Sequence, residues 1–162
     1  MKIALPILFI LILAIIQITF ASKLTVFGVR PNFVLAGLFV LLIFTKNFWD
    51  IILAAVIGGL IYDWNDYFFG LNAVVLILTF LIFWFFGKKY IVSRHFLPLL
   101  IFSIFGTAVF NLIYISLSYL IFHYNFFDYF LSARQLLEMG LNGLTALVFG
   151  SPFLVITKFK RV

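Results

Sequence analysis

The sequence predicts an all-α integral membrane protein of about six crossings, and three observations carry that prediction. The first is composition: of 162 residues, 66% are hydrophobic, 21% aromatic and only 10% charged. A soluble globular chain carries about 25% charged residues, so this one has too few to dress a water-facing surface. The second is that apolar runs recur from end to end, at lengths near the about 20 residues that a helix needs to cross hydrocarbon. In that solvent the backbone must satisfy its own hydrogen bonds, which points to helices. The third is that basic residues gather in alternate connections, as the positive-inside rule requires. No soluble domain of appreciable size fits between the runs, so residues 1–162 form a single polytopic membrane domain.

The first candidate span is Ile3 to Ala21. With Lys2 before it and Ala21-Ser22 after it, the segment also has the outline of a signal peptide. Its apolar run is long for such a peptide, and its removal would leave an odd number of spans, so it is expected to stay as a helix. The second span is Leu24 to Phe44, interrupted by Arg30-Pro31-Asn32 and strongest from Phe33 to Phe44. The third, Phe48 to Tyr62, is short. Spans two and three either cross in turn or form a re-entrant hairpin around the polar Lys46-Asn47 corner, and charge counting does not separate the two. The fourth runs from Phe68 to Phe86, the fifth from Phe96 to Phe122 and the sixth from Leu136 to Ile156.

With a cytoplasmic N-terminus, the inner side collects Lys2, Lys46, Lys88, Lys89, Arg94, Lys158, Lys160 and Arg161. The outer side keeps Lys23, Arg30 and Arg134, together with Asp63, Asp66 and Asp128. Merging spans two and three would split the strongest basic clusters between compartments, so both termini are expected inside. The net charge of +6 is thereby read as an orientation signal for the bilayer and not as a nucleic-acid surface. Aromatic residues mark the same edges: Tyr62, Trp64, Tyr67, Tyr124 and Tyr129 outside, and Phe48, Trp49, Trp84 and Tyr90 inside. Phe, at 24 residues, suits lipid-facing surface.

Enzymatic chemistry finds little footing. There is no cysteine, which excludes disulfides, thiol catalysis and Cys-ligated metals. His95 and His123 lack a carboxylate at helical spacing and read as interfacial side chains. No phosphate loop or serine elbow is present, and Asp50, Asp63, Asp66 and Asp128 all fall at segment edges. The expectation is a protein that is not an enzyme, with no cofactor and no metal.

The polar and small residues inside the spans are more informative. Gly58-Gly59-Leu60-Ile61-Tyr62-Asp63 places a carboxylate at a span edge, and Phe69-Gly70-Leu71-Asn72 opens the next span. Gly59 and Asp63 are four apart and share a helix face, so a bare backbone patch lies beside the carboxylate. Such a patch admits another helix at close range, from this chain or from a partner. Arg30-Pro31-Asn32 suits a helix start, since proline at the first turn gives up no hydrogen bond. Arg30 is then either an interfacial cation or the partner of a carboxylate, with Asp63 the nearest candidate. In the last span Gly140, Gly143, Ala146 and Gly150 form a small-residue stripe suited to close helix packing, within the chain or between copies. Asn111 and Asn142 lie within spans and are expected to face protein, because an unpaired amide in hydrocarbon is costly. A polar cavity built from Asn72, Asn111 and Asn142 would be the mark of a transporter.

Taken in order, Arg30-Pro31-Asn32-Phe33-Val34-Leu35, Gly58 to Asp63, Phe69 to Ala73 and Asn142 to Ala146 with Ser151-Pro152-Phe153 resemble the MreD family of bacterial rod shape-determining proteins. The resemblance covers the whole chain, although the Phe content and the long fifth span depart from a typical member. It implies a non-enzymatic scaffold in the bacterial cytoplasmic (inner) membrane that helps to organise lateral peptidoglycan synthesis and maintain rod shape. The partners it implies are an MreC-like protein, a RodA-type glycosyltransferase, a class-B penicillin-binding transpeptidase and the MreB filament. It assigns Arg30, Pro31, Asn32, Gly58, Gly59, Asp63, Gly70 and Asn72 to a docking surface or its support. It also implies a fold similar to the substrate-binding components of energy-coupling-factor transporters, and with that an alternative function in vitamin or small-molecule uptake.

Overall fold

In the computed structural model, residues 4–21, 23–45, 47–65, 69–87, 96–122 and 132–159 are described. Among them the regular structure is helical, apart from a single antiparallel bridge between Val26 and Val29. These described residues form six α-helices: α1 (Ala4–Ile16), α2 (Phe33–Phe44), α3 (Phe48–Tyr62), α4 (Leu71–Ile82), α5 (Phe96–Phe122) and α6 (Ala133–Phe159). A π-helical turn at Gln17–Ala21 extends α1, and another at Phe83–Gly87 extends α4. The expected edges of the third and fifth segments agree with α3 and α5. The sixth segment is longer than expected at both ends.

The second segment needs correction. Residues 24–32 are not helical, and α2 begins only at Phe33. The chain instead makes a two-residue turn, with Val26 N donating to Val29 O at 2.9 Å and Val29 N to Val26 O at 3.0 Å. Phe27 and Gly28 both take positive φ, 51° and 78°. That is the geometry of a tight hairpin whose twist matches paired strands. Phe27 bears a steric cost there that Gly28 avoids.

Helix starts follow local chemistry. Asn32 caps α2, its Oδ1 accepting from Leu35 N at 2.9 Å. Asn47 caps α3, accepting from Trp49 N at 3.3 Å and donating from Nδ2 to Asp50 Oδ1 at 2.8 Å. Pro152 sits inside α6 and cannot donate to the Val148 carbonyl four residues back. Ser151 Oγ donates to that carbonyl at 2.8 Å, the kind of repair that lets an apolar helix tolerate proline.

The centre of the molecule is α2. It packs against α1, α3, α5 and α6, and Phe33 through Ile43 are all buried. At about 1.5 Å rise per residue, its 12 residues fall well short of the about 30 Å of a hydrocarbon core. Its ends are met by protein. Within the pairs α1/α2, α3/α4 and α5/α6 the two helices run in opposite directions, as three sets of contacts show. Gln17, at the end of α1, meets Phe33 at the start of α2. The end of α3 meets the start of α4, and Ser103 and Asn111 of α5 meet Asn142 and Gln135 of α6. Phe9, Phe44 and Phe153 accordingly cluster at one end, with ring centroids 5.4 to 5.5 Å apart.

Phenylalanine, expected on lipid-facing surface, also builds the core. Phe39 and Phe80 are fully buried with ring centroids 4.8 Å apart, and Phe83 bridges Phe39 to Phe102 at 5.3 and 5.6 Å. Gly106 makes room for the Phe39 ring. Among the described residues one stretch, Phe96–Ile121 with 26 residues, is long and apolar enough to cross a membrane, and Leu5–Phe20, Phe33–Phe44, Phe48–Tyr62 and Leu71–Phe86 are shorter apolar helices.

Candidate functional site

The Gly-x-x-x-Asp stretch resolves into a helix junction. Asp63 closes α3 and is 1% exposed. Its Oδ2 accepts from Gly70 N at 3.0 Å and Ala73 N at 3.2 Å. Its Oδ1 accepts from Asn72 N at 3.0 Å and Asn72 Nδ2 at 2.8 Å. The first backbone donors of a helix have no partner within it, and here the carboxylate of the preceding helix supplies them. Its charge also complements the positive end of the α4 dipole. Gly70, at φ 93°, turns the chain so that its own N–H points at Asp63.

Gly59 lies one turn before Asp63 on the same face. A Cβ there would come within 2.7 Å of Ala73 N, so α3 and α4 touch backbone to backbone. Gly58 faces the other way, where a Cβ would meet Val34 at 2.7 Å and Ile10 at 2.8 Å. Of the two uses left open for this glycine-lined patch, a helix of the same chain or a partner, the structure shows the first: Gly58, Gly59 and Asp63 are buried against α1, α2 and α4 of their own chain. Of the two roles left open for Arg30, pairing with Asp63 is not the one observed. Arg30 is exposed beside the Val26–Val29 turn, and the Asp63 carboxylate is occupied by α4.

A second junction gathers around Pro31-Asn32, and sequence reasoning missed half of it. Gln17 Nε2 donates to Pro31 O at 3.2 Å, while Gln17 Oε1 accepts from Phe33 N at 2.6 Å. The side-chain amide thus mimics a peptide and pins α1 to the start of α2. From the other side Asn32 N donates to Asn142 Oδ1 at 2.6 Å. Asn142 Nδ2 donates to Thr107 Oγ1 at 3.2 Å, and Ser103 Oγ donates to Asn142 O at 3.0 Å. One asparagine thereby joins α2, α5 and α6. The available signals were a lone glutamine in an apolar span and the four-residue spacing of Ser103 and Thr107, which puts both on one face.

The small-residue stripe of α6 serves the interior. A Cβ on Gly143 would lie 3.1 Å from Leu100 and Ile104, Gly150 abuts Leu99, and Ala146 is fully buried. Gly140 departs from the pattern, since a Cβ added there would meet nothing within 4 Å. Asn111 Nδ2 donates to Gln135 Oε1 at 2.8 Å and to Glu138 Oε2 at 2.9 Å, again joining α5 to α6. Asn72 thus joins α4 to the end of α3, while Asn111 and Asn142 both tie α5 to α6 at different heights.

A groove of about 450 Å³ lies between the end of α1, the turn after it and α6, and its lining is apolar except for Thr145. Lys2, Lys46, Asp66, Lys88, Lys89, Arg94, His95, His123, Asp128, Lys160, Arg161 and the aromatics Tyr67, Tyr90, Tyr124 and Tyr129 lie outside the described residues. No family model matches the chain, nor does any curated protein or solved structure.

Proposed function

We propose that this chain is a multi-pass scaffold of the bacterial cytoplasmic membrane, of the MreD type, with six crossings and both termini inside. The observation that carries the reading is the Asp63 junction. The residues on which the resemblance rests, Gly59, Asp63, Gly70 and Asn72, act together as one device. A buried carboxylate in an apolar bundle is rare and costly unless it is fully hydrogen-bonded. Its use here to seal a helix end fits a protein whose spans are built for shape. The opposed directions within the pairs α1/α2, α3/α4 and α5/α6 also agree with an even number of crossings.

On this reading the protein contributes a rigid membrane body to the wall-elongation machinery. Its docking surface for an MreC-like protein or the synthase lies on outward faces, not on the Gly58–Asp63 patch. The uptake-component alternative needs a polar cavity, and the three span asparagines are each engaged in joining helices.

Co-purification with the MreC-like protein of the same cell tests the scaffold. Wild-type protein is expected to carry the partner at near-stoichiometric amount, and depletion of the chain is expected to turn rods into spheres. Normal rods on depletion, or a stoichiometric vitamin in the purified protein, would overturn it.

A further inference from the structure

We infer that the groove between α1, the Val26–Val29 turn and α6 is a binding site for one anionic phospholipid, its acyl chain in the groove and its phosphate at Lys23 and Arg30. The inference rests on the bilayer placement proposed above.

The argument begins with the groove itself. Its walls include Ile16 and Leu24 on one side and Leu144, Val148 and Phe149 on the other, with Pro31 at the turn. Its about 450 Å³ falls within the range of about 300–1,000 Å³ typical of sites that hold small organic ligands. The one polar side chain in the lining, Thr145, has its hydroxyl engaged, since Oγ1 donates to Leu141 O at 2.7 Å. The groove therefore offers an occupant dispersion contacts and at most the acceptor lone pairs of one hydroxyl, which suits a hydrocarbon chain better than a hydroxylated solute. It is open to the outside along α6, where Leu144 and Val148 are 60% and 66% exposed.

The charge comes from the turn. The paired Val26 and Val29 bring the two arms of the chain side by side, so the segments holding Lys23-Leu24 and Arg30-Pro31 flank each other. Leu24 and Pro31 line the groove, and Lys23 and Arg30, each next in sequence to one of them, are exposed. Among the described residues the carboxylates are engaged elsewhere: Asp50 with Asn47, Asp63 with α4 and Glu138 with Asn111. Two cations beside an apolar slot are complementary to a negatively charged headgroup with an acyl tail. Phe27, at the tip of the turn and 84% exposed, is placed to rest among headgroups, where aromatic rings are favoured.

Native mass spectrometry of the full chain in detergent, titrated with phosphatidylglycerol and phosphatidylcholine of identical acyl chains, tests the site. Wild type is expected to prefer phosphatidylglycerol on the order of tenfold, the scale set by two basic side chains near a phosphate. The double variant Lys23→Ala/Arg30→Ala is expected to bind both lipids alike. Val148→Trp, which fills the groove from an exposed position, is expected to weaken both. Equal binding of the two lipids by wild type, a preference surviving in the double variant, or binding unaffected by Val148→Trp would each overturn the inference. So would a photo-cross-linker at position 148 that captures a protein helix in membranes instead of lipid. Resistance of the chain to alkaline carbonate extraction, measured separately, reports on the bilayer placement, so that its failure is distinguishable from that of the site.

Discussion

Asp63 shows how one side chain decides a junction. It accepts four hydrogen bonds from α4, three of them from backbone N–H groups that no other residue of the helix can satisfy. Asp63→Ala would leave those donors orphaned in an apolar surrounding, at a cost of about 3 kcal/mol. Asp63→Asn keeps one acceptor oxygen and gives up the charge, so a smaller loss of about 1–2 kcal/mol is expected. Unfolding midpoints in a dodecyl sulfate titration should rank wild type, Asp63→Asn and Asp63→Ala in that order. Identical midpoints would mean that the α4 terminus is held by something else. Gln17 makes the same point from the opposite direction. Gln17→Met keeps the length of the side chain, strips Pro31 O and Phe33 N of their partners, and should cost about 1–3 kcal/mol in the same titration.

At the scale of elements, glycines set how close the helices come, and they do not all matter alike. Gly59 lies against the Ala73 backbone, which has no rotamer to swing aside, whereas a Cβ at Gly140 would have open space around it. Gly59→Leu should force α3 and α4 apart and cost at least about 1–3 kcal/mol. Gly140→Leu should leave stability within about 0.5 kcal/mol. Thermal retention of the monodisperse peak on size exclusion separates the two, and equal loss in both variants would refute the assigned packing. Much at this level was legible from the sequence. The edges of α3 and α5 and the shared face of Gly59 and Asp63 follow from apolar run length and helical spacing, whereas Pro31, read as part of the first turn, lies before the Asn32 cap of α2. The hairpin at Val26–Val29 was not legible. Its turn places Phe27 at positive φ, a conformation that a bulky residue rarely adopts and that no local pattern announces.

The molecule as a whole is organised around α2, a short apolar helix surrounded by α1, α3, α5 and α6. Reporter fusions after Gly87 and after the C-terminus are expected to report the same, cytoplasmic compartment, and a fusion within the Val26–Val29 turn the opposite one. Opposite compartments for the first two would break the even number of crossings and the scaffold reading with it. The sequence by itself determined that the chain is helical, roughly where its apolar segments lie, and that its polar residues had to find protein partners. Those are local consequences of composition, spacing and the cost of bare polar groups in hydrocarbon. Which partners they found was decided by the tertiary structure. Asn32 and Asn142 meet across 110 residues of chain, and Asp63 faces inward because Gly59 lets α4 close over it. An apolar helix is equally content against lipid or protein, so only packing determined which faces were buried.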